Sequence, residues 1–261
     1  MLFSRTTFIG IDPTAGQRPF TYAALDQNLE LLALSTGSLE EVTAFAGGQR
    51  AAVVGINAPR QPNQGLMRDE SVREQLSPRP NPGRWQSYRL VEYELYQHGI
   101  SIPPTPGKVE ACPRWMQMGF QVFQRLGYFG YQLFPSPEAD CIYFETYPHG
   151  AYSAMLGITP FPKQTLEGRL QRQLILHENQ VRVHNPMRIF EEITRYRLLN
   201  GILPLENLLN ADELDALVAA YTAWVLSRNQ VEVTVLGDSS EGQIVLPVPA
   251  LKHQYQPASS A

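Results

Sequence analysis

The sequence contains little lysine and has a small net charge, and both properties limit the classes of protein to which it can belong. Lysine occurs only at Lys108, Lys163 and Lys252, so most of the 21 basic residues are arginines. The formal net charge of -4 argues against a protein that coats nucleic acid, because such proteins are basic overall. A local basic groove is still compatible with this charge. Arginine suits such a groove because it makes bidentate contacts to phosphate and carboxylate groups, although genomic base composition also favours arginine.

The sequence also has few cysteines and no long apolar run. Cys112 and Cys141 lack the spacing of a metal site, so we expect reduced, buried thiols in a cytoplasmic protein. The N-terminal residues contain no apolar core of signal-peptide length, and no segment approaches the roughly 20 apolar residues of a membrane span. With 43% hydrophobic residues, the 261-residue chain can bury a substantial core. We expect one domain over residues 1–250 and a disordered tail over 251–261.

Short apolar runs predict the order β-β-β-α-β for the first 60 residues. The run TTFIGID predicts a first strand followed by a turn at PTAG, and Ser38 with Glu41 is typical of a capping box. Residues 60–137 are rich in Pro, Arg and Gln, and they predict a helical insertion after the fourth strand. Apolar spacing then predicts a strand in DCIYFETYP, two closing strands in VEVTVLG and GQIVLPVP, and helices over 149–157, 165–178, 186–199 and 211–228.

Three of the predicted strands end in a polar residue. Asp12 ends the first, Asn57 follows the fourth and Glu145 ends the strand in DCIYFETYP. Ligand sites in open sheets collect at strand ends. Asp212 and Asp215 are three residues apart, so they share a face of the 211–228 helix, and we expect Asp215 to point inward. The four carboxylates would suit Mg²⁺ or Mn²⁺, which prefer oxygen ligands.

Each of these carboxylates also has a simpler interpretation. Asp12 is typical of a turn or helix cap, and Asp212 is typical of an N-cap. Glu145 could pair with a buried arginine. Asp215 is the least readily explained, because aspartate has low helix propensity and here interrupts an apolar helix face.

Several motifs, taken in order, resemble a known family. They are GIDPTA, GINAP, RLVEYELYQHGI, ETYPHGAYSAMLG, DELDALVAAYTAW and EGQIVLP, which together cover nearly the whole chain. The sequence resembles domain-of-unknown-function family 429, whose members are predicted nucleases with an RNase H-like fold. The resemblance implies an α/β fold with five mixed strands flanked by helices. It also implies a metal-dependent catalytic centre at Asp12, Glu145, Asp212 and Asp215.

The sequence departs from the family pattern at three positions. Asn57 stands where the family usually has aspartate, Val91 where it tends to have cysteine, and Tyr96 where it tends to have arginine. Asparagine can coordinate a metal through its carbonyl oxygen, but it adds no charge and cannot act as a base.

Four residues are candidates for contact with substrate. Asn57 is one of them, and Arg89 could bind a phosphate or pair with Glu92 three residues further on. His149 could relay a proton near neutral pH or lie in a surface turn. Lys163 could meet a phosphate or begin a solvated helix.

Three functions follow, in order of preference. The first is a nuclease that hydrolyses DNA or RNA with Mg²⁺ or Mn²⁺ by a two-metal mechanism. The second is a catalytically weakened or inactive nucleic-acid-binding protein of the same fold, favoured by Asn57 and the acidic charge. The third is an ATP-dependent phosphotransferase of the actin-like fold, for which the sequence lacks the expected Gly/Ser/Thr-rich phosphate loops.

Overall fold

A computed structural model describes residues 6–14 and 18–258, and these form a mixed sheet flanked by helices. Two residues of the predicted PTAG turn, Ala15 and Gly16, lie outside the described part of the chain. The strands are β1 (Thr7–Asp12), β2 (Phe20–Leu25), β3 (Leu31–Gly37), β4 (Ala52–Ile56), β5 (Gln132–Leu133), β6 (Cys141–Thr146), β7 (Thr234–Asp238) and β8 (Gly242–Leu246).

The centre of the sheet is parallel and its two flanks are antiparallel. The spatial order is β3-β2-β1-β4-β6-β8-β7, with β5 paired to β6 off this path. Strands β1, β4, β6 and β8 run parallel, whereas β2 with β3 and β7 with β8 form antiparallel pairs. The carboxyl ends of β1, β4 and β6 therefore meet at one edge, as expected for a ligand site.

Ten α-helices accompany the sheet in the described part of the chain. They are α1 (Leu39–Gly47), α2 (Glu70–Glu74), α3 (Pro82–Trp85), α4 (Leu90–Gln97), α5 (Arg114–Tyr128), α6 (Pro148–Leu156), α7 (Leu166–Glu178), α8 (Arg188–Glu192), α9 (Arg195–Leu199) and α10 (Ala211–Arg228). The capping box predicted for α1 is confirmed, since Ser38 Oγ accepts the Glu41 amide and the Glu41 carboxylate accepts the Ser38 amide. Helices α2 to α5 lie between β4 and β6, where the helical insertion was predicted.

Side chains alternate along each strand, so the apolar residues of the strands pack into two separate cores, one on each face of the sheet. Ile9 and Ile11 of β1 pack in a core that includes residues of α1 and α5. Phe8 and the buried residues of α10 belong to a second core on the opposite face. Successive side chains of a strand point to opposite faces, so the apolar run of β1 is explained by burial on both sides.

The α/β class and the mixed sheet are confirmed, whereas the strand number implied by the family resemblance is not. The described residues form eight strands rather than five. Two of the additional strands, β7 and β8, were predicted from the apolar runs near the C-terminus. The two-residue strand β5 was not predicted, because two residues carry no periodicity.

Two further segments differ from the expectation. Residues 186–199 form two short helices, because Thr194 begins a new helix by accepting the Arg197 amide at 3.2 Å. Residues 251–258, expected to be disordered, pack onto the fold. Tyr255 is buried and donates its amide to the His98 carbonyl at 2.8 Å. Residues 259–261 lie outside the described part.

Among residues 6–14 and 18–258, the helices are all too short or too polar to cross a membrane.

Candidate functional site

A cleft of about 400 Å³ lies over the carboxyl ends of the central strands. Asp12, Asn57 and Glu145 line it from β1, β4 and β6, and Asp212 lines it from α10. A second cleft of about 480 Å³ adjoins the first and contains Asp215. The two clefts share Asn57, Tyr147 and Lys163. The eight residues predicted from the sequence therefore gather at one edge of the sheet, as strand-end placement indicates.

Helix α10 approaches the sheet closely because two glycines leave room for its backbone. A Cβ at Gly10 would collide with the Ala216 carbonyl oxygen, and a Cβ at Gly55 would lie 2.7 Å from the Ala219 carbonyl oxygen. No larger residue fits at either position without displacing backbone. This contact of glycine on alanine brings the first turn of α10, with its two aspartates, over the end of β1.

Asp12 is buried and its hydrogen-bond partner among the described residues is uncharged. Asn57 Nδ2 donates to Asp12 Oδ1 at 2.7 Å. Burial, with the negative charges of Asp215 and Asp212, raises the pKa of Asp12 from 3.8 to about 8, although Lys163 and Asn57 oppose the rise. A buried carboxylate surrounded by like charge favours its protonated form. Asp12 therefore carries an ionisation poised near neutral pH.

Asp215 points inward, as predicted, and has a cation of its own. The Lys163 ammonium lies 2.6 Å from Asp215 Oδ2. Burial raises the pKa of Asp215 although Lys163 opposes the rise. Burial also lowers the pKa of Lys163, but Asp215 and then Asp12 and Asp212 outweigh it, so the pKa of the ammonium is raised overall. Lys163 thus stays charged, through its contact with Asp215 and through the nearby negative charges of Asp12 and Asp212.

Asp212 is not the N-cap of α10. Asn210 fills that position, since its side chain accepts the amides of Asp212 and Glu213 at 3.0 and 2.9 Å. The Asp212 carboxylate instead faces the cleft, where Arg18 Nη1 lies 3.1 Å from its Oδ2. Arg18 was not predicted as a site residue, because its partner lies 194 residues away in the chain.

Glu145 belongs to a different cluster from the three aspartates. Its Oε2 accepts from Arg89 Nη1 at 2.8 Å, and its Oε1 accepts the Arg60 amide at 2.7 Å. Arg89 also donates from Nε to Glu92 at 2.9 Å, and all three charged side chains are buried. Burial raises the pKa of Glu145, while Arg89 opposes that rise. The interpretation of Glu145 as the partner of a buried arginine, and of Arg89 as the partner of Glu92, is therefore the one observed.

The strand register explains this separation. Ile11, Ile56 and Glu145 are aligned across β1, β4 and β6, so their side chains leave the same face of the sheet. Asp12 is one residue further along β1 and leaves the opposite face, which α10 covers. Strand ends at one edge do not by themselves converge on one point.

Three of the four residues predicted to contact substrate are instead bound to the predicted carboxylates. Asn57 holds Asp12, Arg89 holds Glu145, and Lys163 holds Asp215. The fourth, His149, is half-buried in the second cleft rather than in a surface turn, and burial, with Arg172 and Lys163 nearby, lowers its pKa.

Glu241 is a buried carboxylate that was not among the residues predicted from the sequence. Its Oε1 accepts the amides of Gln64, Gly65 and Leu66, and its Oε2 accepts the Leu90 amide at 2.8 Å. It connects the β7–β8 turn to residues 64–66, which precede α2, and to the first residue of α4. The closing motif EGQIVLP contains it, so the motif could have identified Glu241 as a structural residue.

The carboxylates are chemically suited to bind a divalent metal ion, but they are not arranged as ligands of one ion. Asp12, Asp212 and Asp215 offer the oxygen ligands that Mg²⁺ and Mn²⁺ prefer. Over residues 6–14 and 18–258, however, no three His, Cys, Asp or Glu side chains are grouped so that they could hold a metal ion. Lys163 and Arg18 engage the oxygens of Asp215 and Asp212 that would serve as ligands.

Residues 10–240 match the family described as "Protein of unknown function (DUF429)". The chain belongs to this family. The match covers Asp12, Glu145 and both aspartates of α10, so the family assignment made from the motifs is confirmed. No curated protein and no solved structure matches the chain.

Proposed function

We propose that this DUF429 protein hydrolyses phosphodiester bonds of DNA or RNA in the cleft lined by Asp12 and Asp212, with Asp215 in the adjoining cleft. The observation that carries the proposal is the burial of Asp12 beside Asp215, residues that are 203 positions apart in the chain and that repel each other. Burying like charges together costs free energy, and such an arrangement is found at functional sites more often than elsewhere. An RNase H-like arrangement of the sheet is part of this proposal.

The basic side chains of the cleft support a phosphate-containing substrate. Arg18 has 72% of its side chain exposed, and Lys163 has 43%, so both can reach a ligand while they hold Asp212 and Asp215. Arginine and lysine are the usual partners of phosphate oxygens. In this account Arg18 and Lys163 bind and orient the phosphodiester.

Asp12 then accepts a proton during the reaction. Water attacks phosphorus and a new P–O bond forms, while the ionised Asp12 takes a proton of the attacking water. The leaving nucleotide oxygen departs with the electron pair of the broken P–O bond and takes a proton from solvent water. Asn57 orients the carboxylate through its hydrogen bond to Oδ1. Because a general base must be ionised, the rate should rise with pH through about 8, the pKa of Asp12.

The test is cleavage of labelled single-stranded, duplex and branched substrates at several pH values, with and without Mn²⁺ or Mg²⁺. Asp12→Asn and Asp215→Asn should abolish cleavage, and Asp140→Asn, an exposed aspartate remote from both clefts, should not. If the first two variants cleave like the parent protein, the activity is contamination and the proposal fails. The requirement for Mg²⁺ or Mn²⁺ stays a prediction that the metal-free reactions examine directly.

A second candidate is a nucleic-acid-binding protein that no longer cleaves. The observation that favours it is the pairing of the predicted carboxylates with basic or amide side chains, since these partners leave fewer oxygens for catalysis. Binding of the same substrates without cleavage, unaffected by divalent ions, would support it. Calorimetric binding of Mn²⁺ that is lost in Asp215→Asn would count against it.

A further inference from the structure

The second cleft contains two basic groups, His149 and Arg172, that the reaction described above does not use. It lies beside Asp215 and shares Lys163 with the first cleft. Pro160, Phe161 and Pro162 form its apolar wall. No acidic side chain other than Asp215 lines it in the described part of the chain, and Asp215 is already neutralised by Lys163.

Arg172 is buried and incompletely satisfied. Only 2% of the residue is exposed, and its Nη1 donates to the carbonyl oxygens of Phe161 and Gly168 at 2.8 and 2.9 Å. Its Nε has no hydrogen-bond partner within residues 6–14 and 18–258. A buried donor without a partner costs free energy, and the guanidinium that carries this donor lines the cleft, so an anion bound there would lie beside an incompletely paired charge.

The amino end of α6 lies in the same cleft. Tyr147 is its N-cap residue, and no side chain in the described residues accepts a hydrogen bond from the first turn. Pro148 occupies the first helical position, so the next amides, those of His149 and Gly150, are the free donors of this end. The amino end of a helix attracts anions because its amides point outward and the helix dipole is positive there.

Positive charge is therefore concentrated around His149. Besides burial, Arg172 and Lys163 lower the pKa of the imidazole, which places both cations close to the ring. Three independent features, the unsatisfied guanidinium, the open helix end and the lysine, converge on one space of about 480 Å³.

We propose that this cleft is a phosphate-binding subsite, in which Arg172, Lys163 and the amino end of α6 hold a phosphate group of the substrate next to the one that is cleaved. The inference rests on the proposed function, because it assigns the subsite to a nucleic-acid substrate. The phosphate is either an internal backbone phosphate or a terminal phosphate of the strand. The subsite would fix which bond of the bound strand reaches Asp12.

Titration of the full chain with inorganic phosphate tests the subsite without any cleavage. The probe is the NMR signal of the His149 imidazole, assigned by its absence from His149→Gln. We expect a saturable shift of this signal, with the pKa of His149 rising because a bound anion favours the imidazolium. Lys163→Met and Arg172→Met should weaken phosphate binding at least tenfold, and Lys108→Met, an exposed lysine elsewhere, should not.

A second variant at position 172 provides a test in case Arg172→Met does not fold. If Arg172→Met is unfolded by circular dichroism, Arg172→Lys keeps a charge but loses the fork of donors, and it should still weaken phosphate binding. A linear, non-saturating shift, or equal binding by the parent protein, Lys163→Met and the folded Arg172 variant, would overturn the proposal. The result is independent of nuclease activity, so failure of the subsite and failure of the proposed function can be told apart.

Oligonucleotides then distinguish the two sources of phosphate. Equal affinity with and without terminal phosphates assigns the subsite to an internal backbone phosphate. Tighter binding of a 5′- or 3′-phosphorylated strand, lost in Arg172→Lys, assigns it to that terminus. Affinity that is unchanged in Arg172→Lys for all of these strands contradicts the subsite.

Discussion

Two clusters of carboxylates, all buried except the half-buried Asp212, lie at the same edge of the sheet, and they differ in the groups that pair with them. In the Glu145 cluster, formed by Arg89, Glu92 and Glu145, both oxygens of Glu145 accept N–H groups and a buried guanidinium lies between the two glutamates. In the aspartate cluster, formed by Asp12, Asp212 and Asp215, Asp12 has an amide partner and each of its two neighbours pairs with a different cation, both of which are partly exposed. The first cluster is a buried ion-pair network, whereas in the second cluster burial and like charge raise the pKa of Asp12.

The largest effect should come from removing the cation of the Glu145 cluster. Arg89→Met would leave two buried carboxylates without their guanidinium, so we expect a loss of about 3–5 kcal/mol in the free energy of unfolding. Chemical denaturation measures it. Arg125→Met, which breaks the exposed pair with Glu40, is the matched control and should change stability little. Equal losses in the two variants would show that the Glu145 cluster is not a structural element.

An opposite and smaller effect should follow from Asp12→Asn. An acid whose pKa is raised from 3.8 to about 8 on folding binds more protons in the folded state than in the unfolded state over that interval. Its cost to stability therefore grows as the pH rises from about 4 to about 8. Asp12→Asn removes this cost, so it should stabilise the protein by about 1–3 kcal/mol at pH 8 and by much less at pH 4.

Denaturation at both pH values, with Asp140→Asn as the control, checks the result. An Asp12→Asn protein that is less stable than the parent at pH 8 would mean that the carboxylate stabilises the fold. The variant should also lose the cleavage activity proposed above, so that stability and activity change in opposite directions.

The smallest of the three effects should come from Lys163→Met. Asp215 would lose its ammonium, but 43% of the Lys163 side chain is exposed, so water screens part of that interaction. We expect a loss of about 1 kcal/mol at pH 7, well below the loss in Arg89→Met. Thermal or chemical denaturation beside Lys108→Met measures it. A loss as large as that of Arg89→Met would place Lys163 among the structural ion pairs.

Much of the fold could be predicted from the sequence, because apolar runs and caps act locally. The order of the first five elements, the 211–228 helix and the closing β7–β8 pair follow from such patterns. The strand β5 and the break at Thr194 did not, since each depends on one or two residues.

The sequence predicted which carboxylates would lie at this edge of the sheet, but not which side chains would pair with them. Strand ends and helix spacing identified Asp12, Glu145 and Asp215, yet their partners depend on which face each side chain leaves. Glu145 is aligned with Ile11, the residue before Asp12, so the side chains of Glu145 and Asp12 leave opposite faces of the sheet. Arg18 and Arg172 lie in segments whose local sequence carries no motif, and only the folded chain brings them to the clefts.

The difference between the two clusters is tested most directly by titration of the aspartate carboxyl carbons by NMR. We predict that Asp12 titrates with a pKa near 8 and that Asp215→Asn lowers this pKa, because the neighbouring negative charge is removed. Asp238, whose pKa is lowered by its hydrogen bonds from Ser240, serves as an internal reference below 3.8. A pKa of Asp12 near 3.8 in the parent protein, with the same pKa in Asp215→Asn, would contradict the account. The aspartate cluster would then contain no carboxylate whose ionisation is disfavoured by burial and by neighbouring negative charge.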